Sequence, residues 1–174
     1  LTVNRPAVEY NLAASTLRRA QLNPERTALI FEEQKYTYGE CGDRVRRQAA
    51  LLRAQGVCVG DRVGYLGFNH PALLETLFAA HALGAIFVPL NFRLTGQELT
   101  FIINDAGIHT LIVDDALRPV IEPVRDELCC RNFYTSESEA PGWGHLSTAS
   151  AEAEPLHSVV SVDQHDVAII MYTS

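Results

Sequence analysis

The spacing of apolar residues changes along the chain, and each change marks a predicted element. Residues 8–22 read as a helix, with Asn11 placed to cap it and Asn23-Pro24 to stop it. Thr27-Ala28-Leu29-Ile30-Phe31 and Lys35-Tyr36-Thr37-Tyr38 read as two extended runs. The intervening Glu32-Glu33-Gln34 is short enough for a hairpin. Thr37 and Glu40 then form a T-x-x-E capping box, in which each side chain satisfies an orphan N–H at a helix start. Cys41, Val45, Ala49 and Leu52 share the inner face of that helix, and Gly56 suits its end.

From there strands and helices alternate. Residues 62–66 predict a strand. Asn69 is placed to cap the next helix, with Pro71 in its first turn and Gly84 behind it. That helix carries Leu73, Leu74, Leu77, Phe78, Ala79 and Ala80, with only Glu75 and His81 able to hold charge, so burial on most sides is expected. Residues 85–88 predict a strand. Thr95 and Glu98 repeat the capping box, opening a helix with Leu99, Ile102, Ile103 and Ala106 inward and Gly107 as its stop. Residues 109–113 predict a strand, closed by Asp114-Asp115. Leu117, Val120, Ile121, Val124 and Leu128 recur at helical spacing, and Pro123 predicts a kink or two short pieces. Residues 135–165 show no period and read as a long surface excursion. Residues 167–172 form a continuous apolar run, of the kind buried on both faces of a sheet. Helices of crossover length between strands predict an α/β fold: a three-layer parallel sheet flanked by helices, preceded by an N-terminal helix and a hairpin.

Composition agrees with a folded chain. Of 174 residues, 47% are hydrophobic and 20% charged, enough apolar surface to exclude disorder and suited to one domain or one large subdomain. The net charge is -7, divided as +3 over residues 1–60, -5 over 61–130 and -5 over 131–174. An acidic chain with no basic block has no electrostatic footprint for nucleic acid. Arg44, Arg46, Arg47 and Arg53 share a helix with Asp43 and read as a solvated face. The four Cys are too few and scattered for a disulfide framework, and read as reduced thiols of a cytoplasmic protein. No apolar run approaches about 18 residues, so no membrane span is expected. The first residues lack a signal-peptide pattern.

Spacing alone assigns no chemistry. G-x-G-x-x-G, the Walker loop and G-x-S-x-G are absent. The six His, at 70, 81, 109, 145, 157 and 165, lack metal-ligand spacing, so no metal residue is expected. His81 reads as a satisfied core histidine, and Asp114-Asp115 as an acidic helix cap in preference to a catalytic pair.

Four segments carry the reading further: Tyr36-Thr37-Tyr38-Gly39-Glu40, Gly56-Val57-Cys58-Val59-Gly60-Asp61-Arg62-Val63, Leu83-Gly84-Ala85-Ile86-Phe87-Val88-Pro89-Leu90-Asn91-Phe92-Arg93-Leu94, and Tyr172-Thr173-Ser174. In this order and at these separations they resemble the amino-terminal part of the adenylate-forming superfamily of acyl-CoA synthetases, adenylation domains and luciferases. The segment from Pro89 to Leu94, followed by Glu98-Leu99, looks most like acyl- or aryl-CoA ligases.

The resemblance implies that residues 1–174 form the incomplete N-terminal subdomain of an AMP-binding acyl-CoA synthetase-like domain, stopping where the phosphate loop starts. It implies an AMP-forming acid–CoA ligase acting in the metabolism of fatty or other carboxylic acids. Its reaction partners would be a carboxylic acid, ATP with Mg2+, and coenzyme A. Thr173 and Ser174 would be the first hydroxyls of the loop that wraps the ATP phosphates; the other reading makes them merely β-compatible residues at a chain end. Arg93 would lie near the CoA nucleotide phosphates, which a guanidinium binds bidentately. Otherwise it pairs with an acidic neighbour or faces solvent. No catalytic residue is expected within this chain, so these residues alone should be inactive. They should also self-associate through the terminal strand. Two alternatives stand beside this: an adenylation domain that loads a carrier protein, and a non-catalytic remnant serving as a binding or assembly module.

Overall fold

The computed structural model describes residues 11–173. The expectations for residues 8–10 and for Ser174 therefore lie outside the described residues.

Five strands, β3 (Arg62–Leu66), β4 (Ile86–Leu90), β5 (Ile108–Val113), β6 (Asn132–Thr135) and β7 (Gly144–His145), form one parallel sheet in the order β4-β3-β5-β6-β7. The hairpin of β1 (Thr27–Phe31) and β2 (Gln34–Thr37) is a separate antiparallel pair. From β3 the chain crosses to β4 on one side, then returns to place β5 on the other. The topological switch point therefore falls between β3 and β5.

Side chains alternate across the sheet, and each face meets its own helices. Val63, Tyr65, Phe87 and Ile112 face a cluster built with Val45, Ala49 and Leu52 of α2 (Tyr38–Ala54) and Ala79 and Ala80 of α3 (Pro71–Ala82). Ala13 and Leu17 of α1 (Leu12–Leu22) join that cluster. Leu66, Val88, Leu111 and Val113 face the opposite cluster, with Leu99 and Ile103 of α4 (Gly96–Ala106) and Ile121 of α5 (Arg118–Ile121). These are the three expected layers.

Local chemistry fixes the helix ends. Asn11 caps α1 by accepting from Ala13 N–H at 2.9 Å. Both capping boxes form: Thr37 with Glu40, and Thr95 with Glu98. Gly107 ends α4 in the left-handed region at φ 63°. The Arg62 guanidinium donates to the carbonyls of Ala106 and Gly107, each at 2.7 Å, which anchors that end of the helix to β3.

Four findings refine or correct the expectations. The cap of α3 is His70, not Asn69: its Nδ1 accepts from Ala72 N–H at 3.2 Å. Pro71 takes the first helical position and holds its predecessor extended, so the cap falls directly before the proline. Residues 115–127 break into a 3-10 turn at Asp115–Leu117, the single turn of α5 and a second 3-10 turn at Glu122–Glu127, as Pro123 suggested.

Residues 135–165 are not a plain excursion. β6 ends within them, and β7 and α6 (Leu146–Ala151) lie inside them. Trp143, Leu146 and Leu156 are buried there, and the Arg125 guanidinium lies 4.7 and 4.8 Å from the ring centres of Phe133 and Trp143.

Residues 167–172 do not form a strand buried on both faces. They make one parallel bridge, Phe87 with Ile169, in which Phe87 N–H donates to Ala168 O at 2.9 Å and Ile170 N–H to Phe87 O at 3.1 Å. The next rung would need an N–H at position 89 of β4, and Pro89 has none. Val167, Ile169 and Met171 stay exposed, while Ile170 and Tyr172 pack on the cluster beneath α4.

Candidate functional site

Ligands in open parallel sheets bind beyond the carboxyl ends of the strands, at the switch point. A cavity of about 440 Å³ opens there, lined by Phe31, Phe68, His70, Asp114 and Glu137 among others. Its charge is wrong for phosphate, because Glu32, Asp114 and Glu137 all border it and no Lys or Arg does. Asp114 is occupied as a cap: its carboxylate accepts from Ala116 N–H at 3.1 Å, which bears out the acidic-cap reading.

The residues singled out for phosphate lie at another carboxyl end, that of β4. The chain turns at Asn91–Thr95 between β4 and α4. Asn91 shapes this turn twice: its side chain accepts from Arg93 N–H at 3.0 Å and its carbonyl from Leu94 N–H at 3.1 Å. Arg93 is exposed, with its guanidinium 5.6 Å from the Phe92 ring centre, and no carboxylate among the described residues pairs with it. Phe92 in turn packs on Phe68 with ring centres 4.9 Å apart. The cation thus stands free on an aromatic support at the sheet's rim.

Thr173 follows the segment that bridges to β4. The bridge aligns Phe87 with Ile169, and the two segments run parallel. Thr173 is exposed. Among the described residues no hydrogen bond joins Thr173 to the Arg93 turn, and Ser174 lies outside the described residues.

Sequence reasoning missed what holds residues 168–172 to the rest of the chain. His81, only 4% exposed, places Nε2 at 2.9 Å from Ala168 O, so that nitrogen carries the proton. Its Nδ1 is buried without a partner, which corrects the expectation of a fully satisfied core histidine. Asn11 Nδ2 donates to His81 O at 2.7 Å and to Val160 O at 2.8 Å, joining the start of α1 to α3 and to the segment leading into residues 167–172. Tyr172 donates its hydroxyl to Asp105 Oδ2 at 2.6 Å, and this contact pushes the phenol's pKa above its ordinary value. No local pattern announces either contact, since 87 positions separate His81 from Ala168 and 67 separate Asp105 from Tyr172.

No group of three or more His, Cys, Asp or Glu among the described residues is arranged to hold a metal ion. The four cysteines are free. Among the described residues no helix is long and apolar enough to cross a membrane.

A parallel sheet between two layers of helices defines the class, and comparison with known proteins gives the family. The AMP-binding enzyme family model matches residues 17–174, and the chain belongs to that family. It is 42% identical over 163 residues to a feruloyl-CoA synthase of Amycolatopsis, covering 94% of this chain and 30% of that protein. It is 37% identical to a long-chain-fatty-acid–CoA ligase of Thermus thermophilus, covering 84% of this chain and 30% of that one. The solved structure of a Mycobacterium tuberculosis fatty acyl CoA synthetase superposes with a TM-score of 0.79 at 28% identity, over 94% of this chain and 32% of the other. The chain spans about 30% of the length of the curated relatives it matches.

Proposed function

We propose that this chain is the amino-terminal portion of an ATP-dependent, AMP-forming carboxylic acid–CoA ligase. The observation that carries the reading is an exposed Arg93, unpaired among the described residues, on the turn at the carboxyl end of β4. The relatives named above add support, because each is named for joining an acid to CoA or for acting on fatty acyl groups with CoA.

In the proposed reaction the substrate carboxylate attacks the α-phosphorus of ATP, forming an acyl-adenylate and releasing pyrophosphate. The CoA thiol then displaces AMP. Thr173 and Ser174 hold the ATP phosphates by hydroxyl donation as pyrophosphate leaves. Arg93 holds the CoA nucleotide phosphates through its planar fork. These residues bind and orient; the groups that carry the bond changes are not in this chain, and no step is assigned here to a metal. We also place the enzyme in the cytoplasm, a reading supported by its four free cysteines.

The test uses the full-length protein with Mg-ATP and a panel of aryl and alkyl carboxylic acids. Pyrophosphate–ATP exchange with at least one acid, followed by thioester formation with free CoA, is expected. Residues 1–174 alone should exchange no more than a protein-free control. Transfer only to a carrier protein would replace the CoA reading, and no exchange with any acid would leave a binding or assembly role.

A further inference from the structure

We propose that the acidic cavity at the switch point, between the hairpin and the carboxyl ends of β3 and β5, binds an alkylammonium group. None of its residues takes part in the proposed ligase reaction.

Three carboxylates, those of Glu32, Asp114 and Glu137, line the cavity together with the rings of Phe31 and Phe68, and no Lys or Arg is among its lining residues. Its volume, about 440 Å³, falls within the range of small-molecule sites. His70 adds no positive charge in this state, because its Nδ1 accepts from Ala72 N–H. Arg44, whose guanidinium lies 5.0 Å from the Tyr36 ring centre, is paired with Glu75 at 3.2 Å. Negative charge beside aromatic faces suits an organic cation.

A buried hydroxyl points the same way. Tyr65 is 1% exposed, and among the described residues its Oη has no hydrogen-bond partner. A buried polar atom in that condition costs stability, so its presence asks for a reason. The ring runs out along the end of β3: a Cβ on Gly67 would lie 2.5 Å from it and 2.9 Å from Oη. The hydroxyl thus ends beneath the loop whose next three residues, Phe68, Asn69 and His70, line the cavity. Burial pushes the Tyr65 pKa up, and the charges of Asp114 and then Glu137 raise it further. The phenol is therefore neutral, and its oxygen can accept an N–H.

The donor set favours an ammonium over a guanidinium or a metal. Asp114 Oδ1 accepts from Ala116 N–H at 3.1 Å and Oδ2 from Phe68 N–H at 3.5 Å, so no free pair of oxygens meets a planar fork. No three His, Cys, Asp or Glu among the described residues are grouped for a metal ion. A compact ammonium head needs single acceptors from several directions, and Asp114, Glu137 and Tyr65 Oη supply them. Glu32 stands at the hairpin tip with φ 52°, a conformation that glycine or asparagine takes more readily. Turn chemistry gives no reason for an acid there, whereas a cation in the cavity does.

The test is isothermal titration of the full-length protein with diaminobutane, with Nα-acetyl-lysine methylamide, and with butanediol as the neutral control. At least one amine should bind and the diol should not. Binding of the diamine alone marks a free amine as the ligand, and binding of the lysine derivative alone marks a lysyl side chain; either result, or both amines binding, supports the site. Asp114→Asn, which keeps an acceptor for the cap, and Glu137→Gln should each weaken binding about tenfold. Tyr65→Phe should weaken it about fivefold. The same variant should leave the melting temperature of the unliganded protein unchanged or higher, because it removes a hydroxyl without a partner. A lowered melting temperature would show that the hydroxyl is already satisfied within the protein, and would overturn the proposal. So would binding by neither amine, equal binding of the diol, or undiminished binding in any of the three variants.

Discussion

Lowering the pH should destabilise this domain through one side chain, His81. Its Nε2–H is committed to Ala168 O, so further protonation must fall on Nδ1, which is buried with no acceptor. Burial holds the His81 pKa below the ordinary 6.5, with the bond to Ala168 working in the opposite, upward direction. In the unfolded chain the same imidazole titrates near its ordinary value. The stabilisation is therefore fully present above pH 6.5 and is lost as the pH falls towards the depressed folded-state value. In that window the unfolded state binds up to one proton more than the folded state, which sets a limiting slope of about 1.4 kcal/mol per pH unit. Against a typical domain stability of about 5–15 kcal/mol, one unit removes roughly a tenth to a quarter. The carboxylates whose pKa values are lowered, on Glu40, Glu98 and Asp115, stay ionised in both states here and do not contribute. The assay is urea unfolding at about pH 7.5, 6.5 and 5.5, for wild type and His81→Gln. The glutamine amide can donate to the same carbonyl and does not titrate. Wild type should lose stability across the window, and His81→Gln should lose markedly less. An equal slope in the two proteins would refute the assignment.

Further outcomes follow from the same geometry. Arg93→Ala should leave the unfolding midpoint within about 0.5 kcal/mol of wild type, because the side chain is exposed and unpaired. In the full-length protein it should raise the KM for CoA without altering adenylate formation, and equal damage to both half-reactions would mean a structural role. Gly107→Ala should cost about 2 kcal/mol in urea unfolding, since the new Cβ must adopt φ 63° and would lie 2.6 Å from Arg62 Nη2. Residues 1–174 should self-associate as concentration rises, because Val167, Ile169 and Met171 expose one apolar row. Light scattering checks this against a variant ending at Asp166, and a monodisperse monomer indistinguishable from that variant would show that the row is harmless.

What could be read from the sequence was local. Thr37 with Glu40 and Thr95 with Glu98 need only three residues of context, and both boxes form as read. The α3 helix could be recognised as buried because it has no polar face to offer water. The Arg93 turn rests on a contiguous segment, and among the described residues its cation has no ion pair, which excludes the acidic-neighbour alternative there but does not choose between phosphate and solvent. Errors arose where a second segment decides the outcome. Residues 167–172 have the composition of a central strand, but their fate is set by Pro89, whose missing donor belongs to the partner. β7 has only two residues, Gly144 and His145, too few to show any period. The contacts that hold residues 168–172, His81 with Ala168 and Asp105 with Tyr172, join residues that no local pattern relates.

The same Pro89 has a consequence during synthesis. The outer edge of β4 can meet its neighbour only when residues 168–170 have been made, some 82 positions after Phe87. At roughly 5–20 residues per second, that edge waits for about 4–16 s on an otherwise assembling sheet. A bare strand edge is a template for any extended chain nearby, including another nascent copy. On β4 the outward-facing donors alternate with those committed to β3, and the one at position 89 is absent. A foreign strand pairing there would lose a rung in the middle of its ladder. The proline that keeps residues 167–172 from completing a strand thus also makes β4 a poor host for the wrong one while the chain is still being made.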